Sequence, residues 1–455
     1  MTSSQPKGPA LSVIIPVHNS AAHLERSLSN LVQSDFSDYE CIVVDDGSTD
    51  GSAEVAERHG YRVVRTPKKS GPAAARNRGM QEAAGEIVYF FDSDVCIKPD
   101  TLRRIVERFA AEPEIDALIG SYDDEPGEPD FLSQYRNLFH HWIHQGASED
   151  ATTFWSGCGA IRKKALLEFG GFDENYRRPS IEDIELGYRM KADGRTIRLD
   201  KQLRVKHLKR WTFWQILRTD VLDRGIPWTE LLLRYPHVPA ALNITLDQRL
   251  NVVLAHLLAI SLAVAAFIEG AAFLGPVLLT AYLVGANYWL FSWRTANLKT
   301  RRTVETVGGL ATAWLIAYAL GITELMPVVL VGTMATFVQH QFLRHRRRSR
   351  PIWWISNVVA VSVLAMMAYL LSHVPLHLAT VAPAVLLFVL LAANARLYAF
   401  LARRHNVFFA FTAIPFHFLY YYYCGLSFTA GVALFWSRKF APKRRGVREP
   451  AATID

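Results

Sequence analysis

From Val252 onward the chain is a succession of apolar blocks parted by basic clusters. Each block is close to the roughly 20 residues that cross a bilayer as a helix. Nothing else in the sequence constrains folding so tightly, because a backbone in hydrocarbon must satisfy its own hydrogen bonds. The blocks lie at 251–268, 271–291, 304–321, 325–342, 352–371, 376–401 and 407–435. A stack of soluble core helices is the competing reading, and so many uncharged runs argue against it. Basic residues follow the second block (Arg294, Lys299, Arg301, Arg302), the fourth (344–350) and the sixth (Arg403, Arg404). The links after the first, third and fifth blocks carry no Lys or Arg. This alternation predicts a cytoplasmic N-terminal half. Crossing with every block would strand the basic tail 438–448 outside. Either one block fails to cross, or Pro415 breaks 407–435 into a re-entrant hairpin; an even number of spans, six, is expected.

The first 250 residues read differently, mixing charged and apolar residues as soluble domains do. The 50% apolar and 20% charged content of the 455 residues therefore averages two unlike halves. The net charge of +8 is concentrated in knots beside apolar blocks, which points to a membrane surface and not to nucleic acid. The opening MTSSQPKGPA has no signal-peptide core. Cys41, Cys96, Cys158 and Cys424 show no metal or disulfide spacing.

In that half, strand-like runs at 11–16, 41–44, 61–65 and 87–91 alternate with helical runs at 21–33, 52–59, 73–84 and 101–112. Such alternation predicts an α/β domain with a mostly parallel sheet, which binds ligands at the carboxyl ends of its strands. Two acidic clusters fall at such ends: Asp45-Asp46, and Asp92-Ser93-Asp94 closing the run IVYFFDSD at 87–94. Read as a continuing strand, the latter sets Asp92 and Asp94 on one face. Two like charges so close call for a hard cation carrying phosphate oxygens; a solvated turn is the alternative.

The motifs SVIIPVHN, VVDDGSTDGS, GPAAARNRG, FFDSD, SGCGAIRKKAL, FGGFDE and IEDIELGYRM follow one another in this order between Leu11 and Trp211. In this the chain resembles the family 2 glycosyltransferases, inverting enzymes with the GT-A fold. The resemblance implies Pro16, Asn19, Asp46, Arg76, Asp92 and Ser93 around a nucleotide-diphosphate donor, with Asp46 toward the base and Arg76 near the pyrophosphate on a flexible loop. It implies Asp94 as a ligand of Mg²⁺ or Mn²⁺, with Asp92 beside it and His207 as a third ligand. Asp183 matches the catalytic base, with Glu182 adjacent. Trp155, Gly157, Cys158, Arg210 and Trp211 match the acceptor side. Polymer synthases of the family carry Gln-x-x-Arg-Trp where this chain reads His207-Leu208-Lys209-Arg210-Trp211, which speaks against a processive enzyme.

The expected organisation is a tail at 1–10, a GT-A domain at 11–206, amphipathic interfacial helices at 207–248, a transmembrane domain at 249–436 and a basic tail at 437–455. The expected function is transfer of a sugar, UDP-linked by preference, to a lipid or lipid-linked acceptor. The location would be a membrane such as the bacterial inner membrane, with the catalytic domain in the cytoplasm. A processive synthase with a polymer channel, or a transporter with an inactive nucleotide-sugar domain, are the alternatives.

Overall fold

The computed structural model describes residues 8–239, 245–269 and 378–440. The N-terminal half is an eight-stranded mixed sheet of order β3-β2-β1-β4-β7-β6-β8-β5. Its strands are β1 Leu11–Val17, β2 Tyr39–Asp45, β3 Arg62–Arg65, β4 Ile87–Phe91, β5 Val95–Cys96, β6 Ala117–Tyr122, β7 Cys158–Arg162 and β8 Ile197–His207. β1, β2, β3 and β4 pair in parallel, as do β6 and β8. β7 runs antiparallel between β4 and β6. That inversion leaves the carboxyl ends of β2, β4 and β8 and the start of β7 on one edge. β4 is buried along its whole length and β1 at every position but Pro16, as expected for strands covered on both faces.

Helices α1 Ala21–Leu31, α2 Ser52–Arg58, α3 Pro72–Glu82, α4 Thr101–Ala111, α5 Phe131–Gly146, α6 Lys163–Glu168 and α7 Glu182–Ala192 cover the sheet. The leucines read as one face of α1, Leu24, Leu28 and Leu31, are buried against Val13, Ile15 and Val43. Pro72 opens α3, where its fixed φ and missing N–H cost nothing. Asp130 caps α5 by accepting a hydrogen bond from the Ser133 N–H. Gly187 lets α7 lie against the backbone of Thr153 and Phe154; a Cβ there would sit 2.1 Å from the Phe154 nitrogen.

After β8 the chain forms α8 Phe213–Arg218, a π-helical stretch Thr219–Gly225 and α9 Ile226–Arg234. A Thr212–Gln215 capping box starts this segment. Trp214 on α8 is 74% exposed. α10 Leu246–Glu269, α11 Leu378–Ala393, α12 Ala395–Arg404 and α13 Val407–Phe440 complete the described chain.

α10 and α13 are long and apolar enough to cross a membrane, and α11 and α12 form one apolar pair bent by 60°. Of the two alternatives, the break at Pro415 is not present: Pro415 lies inside the continuous α13. The break falls one block earlier, at Asn394, so the candidate for a block that does not cross cleanly is 376–401. A proline within a helix removes one hydrogen bond, which neighbouring helices can compensate. The expected spans at 271–291, 304–321, 325–342 and 352–371 lie outside the described residues.

The two halves are packed together. Phe131 of α5 lies 4.9 Å from Phe409 and 5.3 Å from Phe416 of α13, ring centre to ring centre. Arg136 of α5 forms a bidentate ion pair with Asp220 of the π-helical stretch, one arm at 2.7 Å, and Tyr423 of α13 donates to the same carboxylate at 2.5 Å. Small residues permit the close approach: a Cβ on Gly431 would lie 2.6 Å from Thr229 of α9, and one on Gly425 would lie 2.2 Å from the His256 ring of α10.

Candidate active site

A cavity of about 1160 Å³ opens where the carboxyl ends of β2, β4 and β8 meet the start of β7. Its floor is set by the turn after β4. The strand ends at Phe91, and Asp92 to Asp94 form a tight turn closed by the Val95 N–H donating to the Asp92 carbonyl at 3.0 Å. The strand alternation expected to align Asp92 and Asp94 therefore does not apply. β5 leaves the turn to pair with β8 instead, Val95 opposite His207. Both carboxylates still line the cavity, with different partners.

Asp92 pairs with Arg76 at 2.8 Å. Asp94 faces His207, Oδ2 to Nε2 at 3.7 Å, and its carbonyl accepts from the Leu208 N–H at 2.8 Å. Burial would raise the Asp94 pKa, but His207 and Lys209 outweigh it and hold the carboxyl down to about 2. His207 closes β8, where its ring stacks on Tyr122 at 4.3 Å. An acid and an imidazole meeting at a cavity floor suit a divalent cation by donor type. Among the described residues no three His, Cys, Asp or Glu side chains already converge as a complete metal set.

Arg76 is not on a loop; it lies within α3. Its guanidinium is buried between Asp92 and Glu182, 2.9 Å from the latter, and faces the Phe172 ring. Glu182 opens α7 and also accepts from the Ser180 N–H at 2.8 Å. Burial raises the Glu182 pKa, and Arg76 works against that. Arg76 is thus held by two acids.

Asp46 lines the cavity with both oxygens engaged. It accepts from the Ser70 N–H (2.8 Å) and hydroxyl (2.6 Å), the Thr66 hydroxyl (2.9 Å) and the Gly71 N–H (2.8 Å). Burial raises its pKa, but these donors win and keep it below the usual carboxylate range. Asp46 therefore folds the 66–71 loop over the cavity, and Oδ2, with a single donor, has a lone pair to spare. Gly71 needs its φ of +101° there, and a Cβ would meet the Arg177 carbonyl at 2.6 Å. Asp45 takes the local turn, accepting from the Ser48 N–H at 3.1 Å.

Asp183 sits in the first turn of α7 and faces the cavity. Oδ2 accepts from the Ser156 N–H at 2.9 Å and hydroxyl at 3.0 Å, which fixes the carboxylate against the loop entering β7. On that loop Trp155 lines the cavity. Gly157 lets the indole fold back, since a Cβ would lie 2.8 Å from it. Cys158 is fully buried, beside the Tyr89 hydroxyl, and burial pushes its thiol up to about 12.

Pro16 and Ser93 line the cavity; Asn19, Gly157, Cys158 and Arg210 do not. Asn19 adopts φ +51° and ties the β1 and β2 turns by accepting from the Thr49 N–H at 2.8 Å. Trp211 lines the cavity and is buried between Lys209 (4.3 Å) and Arg136 (5.7 Å), its backbone N–H donating to the Ser133 hydroxyl at 2.7 Å.

The residue reading missed a further wall. His140 and His144 of α5 stack at 4.0 Å and lie 4.8 and 5.4 Å from Trp155, with Tyr122 4.5 Å from His140. Burial depresses both, His140 well below and His144 to about 4, so this wall is neutral. The i, i+4 spacing in HHWIHQ was visible, but nothing local said that this face of α5 meets β7. His18, the neighbour of Asn19, was likewise overlooked; it lines the cavity, 2.9 Å from the Asp46 carbonyl.

Residues 12–173 match the model of glycosyl transferase family 2. The chain carries a family 2 glycosyltransferase domain. Asp183 and His207 lie beyond the matched stretch. The domain is similar to validoxylamine A glucosyltransferase of Streptomyces hygroscopicus subsp. jinggangensis, 27% identical over 229 residues, 41% of this chain and 52% of that protein. It is similar to pre-mycofactocin glycosyltransferase of Mycobacterium tuberculosis, 30% identical over 221 residues and 44% of each chain. The chain thus spans about half the length of these curated relatives. Among solved structures, a mannosyltransferase from Pyrobaculum calidifontis in complex with GDP-Man and Mn²⁺ aligns over 86% of this chain and 87% of its own, at 18% identity and a TM-score of 0.36. S. aureus TarS in complex with UDP-GlcNAc aligns over 50% and 71%, at 22% identity and a TM-score of 0.37.

Proposed function

We propose that this family 2 domain is an inverting glycosyltransferase that works at a membrane, moving one sugar from a nucleotide-diphosphate donor to a lipid or lipid-linked acceptor. One observation carries the reading. The cavity that holds Asp94, His207 and Asp183 continues without interruption to Val252 of α10 and Phe428 of α13. A donor at the sheet edge and a lipid between the helices would meet at Asp183.

Asp94 and His207 would hold a divalent metal, Mg²⁺ or Mn²⁺, which when bound neutralises the diphosphate leaving group. Asp92, held by Arg76, would face the ribose or a metal-bound water. Asp46 would fix the 66–71 loop and turn its free Oδ2 lone pair to a base N–H, which favours uracil. Asp183 would take the proton from the acceptor hydroxyl as that oxygen bonds to the anomeric carbon. The bond from that carbon to the diphosphate oxygen breaks on the opposite face, and the configuration inverts. Only one carboxylate is needed at the anomeric centre, unlike the pair in a glycosidase. Ser156 orients it, and the neutral wall of Trp155, His140 and Tyr122 would pack against a sugar face.

The test incubates the full chain in membrane lipid extract with a panel of radiolabelled nucleotide sugars, with and without chelator. Lipid-soluble label that carries one sugar and is abolished by chelator is expected. Long polymeric product would instead establish a processive synthase. Tight donor binding without turnover in any extract would establish a binding or transport role.

A further inference from the structure

Beyond Asp183 the cavity changes its charge pattern. Around the donor end the acids are answered: Asp92 and Glu182 by Arg76, Asp94 by His207, Asp183 by Ser156. In the loop before α7 and along the π-helical stretch, whose Gly225 abuts Ser427 of α13, the imbalance runs the other way. Arg178, from the loop before α7, Arg218 at the end of α8 and Arg224 in the π-helical stretch all line the cavity. Among the described residues their side chains make no ion pair or hydrogen bond with the protein, while Arg136 nearby is fully engaged by Asp220. The acid there without a side-chain partner is Asp223, so the collar holds a surplus of cations.

The collar is close to the reacting end. The Ser180 hydroxyl donates to the Asp223 carbonyl, which fixes the π-helical stretch over the start of α7, three residues before Asp183. Arg224 also acts electrostatically on Tyr122 and His140 of the cavity wall. On the far side of the collar the lining becomes apolar, with Leu232 and Leu233 of α9, Val252 and Val253 of α10, and Phe428 of α13. Val253 and Phe428 are each more than half exposed, so this end opens outward.

We propose that Arg178, Arg218 and Arg224 form a binding site for the phosphate of a lipid acceptor, whose reacting hydroxyl reaches Asp183 and whose hydrocarbon tail lies along Val253 and Phe428. This rests on the lipid-acceptor reading above and narrows it to phosphate-bearing lipids. Guanidinium forks bind phosphate oxygens in pairs, and a phosphate supplies the negative charge that the collar lacks. The phosphate is a spectator: no bond to phosphorus forms or breaks. It sets how far the acceptor enters and so which hydroxyl meets the base.

The experiment titrates the purified full chain, in neutral detergent, with dodecyl phosphate, dodecyl maltoside and inorganic phosphate, each with and without saturating UDP. Saturable binding of dodecyl phosphate, retained in UDP and not competed by dodecyl maltoside, is expected. Binding should weaken at least about tenfold in Arg218→Ala/Arg224→Ala, with UDP binding and melting temperature unchanged. Arg218→Lys/Arg224→Lys should fall between, which keeps the test informative if the alanine variant folds poorly. Unweakened binding by the alanine variant overturns the proposal. So does displacement of dodecyl phosphate by UDP, which would give the arginines to the donor diphosphate. If dodecyl phosphate binds as expected but no phosphate lipid accepts sugar, the lipid-acceptor reading fails and the site stands. If neutral lipids accept sugar equally well in both variants, the reading stands and this site fails.

Discussion

The two ends of the cavity solve opposite problems. At the sheet edge the charged groups are spent on one another: Arg76 bridges Asp92 and Glu182, and Asp46 is wrapped by Thr66, Ser70 and Gly71. At the helix edge Arg178, Arg218 and Arg224 have no side-chain partner among the described residues, and the wall behind them is apolar. Spent charges make a rigid site, because moving one strands its buried partner. Unspent charges near solvent cost little to keep and stay available for a ligand. The sheet end, the proposed donor site, thus has the character of a preformed site, and the helix end that of one completed by what binds.

Asp183→Asn should have the largest effect on function. Removing a general base typically costs about 10²–10⁴-fold in turnover. The amide cannot take a proton, yet it preserves the shape and can still accept from Ser156. Donor affinity should hold within about twofold, because in the proposed mechanism Asp183 meets the acceptor and not the diphosphate. Turnover within about threefold of native would remove Asp183 from the mechanism. Next comes the direct contrast of two arginines. Arg76→Ala strands the buried Glu182 and should destabilise the protein by about 3–5 kcal/mol. Arg224→Ala removes an uncommitted side chain and should change stability by less than about 0.5 kcal/mol. Thermal melts of the two variants in the same detergent measure this; equal losses would erase the distinction between the ends.

The same contrast explains what could be read from the sequence. Strands and helices up to Ala111 fell where expected because each is a local pattern: buried apolar runs such as 11–17, leucines at helical spacing in α1, glycines at turns. The acids at the strand ends came from the same logic. What escaped depends on pairings far apart in sequence. β4 stops at Phe91 because β5 finds a partner at His207, more than a hundred residues on. The partners of Arg76, at Asp92 and Glu182, come from a turn and a helix that no local spacing connects. The neutral wall of His140, His144 and Trp155 exists only because α5 packs over β6 and the start of β7. Of the seven apolar blocks, 251–268 and 407–435 stand among the described residues as helices long and apolar enough to cross a membrane, as length and composition suggested, but the bend at Asn394 was not legible. Asn394 accepts from Tyr421, which itself accepts from Asn251, so that bend is stabilised by two other helices.

Tyr423→Phe probes the seam between the two ends. It deletes the hydroxyl that donates to Asp220 and leaves the Arg136–Asp220 pair in place. A hydrogen bond to a charged group is worth about 1.5–3 kcal/mol. Because the lost contact joins α13 to the π-helical stretch, the Michaelis constant for the acceptor should rise while that for the donor stays constant. A rise for the donor instead would mean that the donor end is not the self-contained unit its internal pairing implies.

The smallest effect concerns pH. His144 is buried in α5, its Nδ1 donates to the Gly120 carbonyl at 3.1 Å, and burial holds its pKa down to about 4. The folded chain therefore binds fewer protons than the unfolded chain between about pH 6.5 and 4, and acid favours unfolding there. The stability from a neutral His144 is complete above pH 6.5, declines as pH falls toward 4 and falls no further below that. Its share is about 1 kcal/mol near pH 5.5–6. His140 and His141 of the same helix are depressed as well and add to the slope. His144→Asn keeps a donor at the Nδ1 position and has no proton to gain. Its melting temperature should consequently fall less steeply than that of the native chain between pH 6.5 and 5, and the two should share one slope above pH 7. Parallel slopes throughout would show that the histidine wall is wetter than its burial implies, and that the donor end is less closed than the membrane end with which it has been compared.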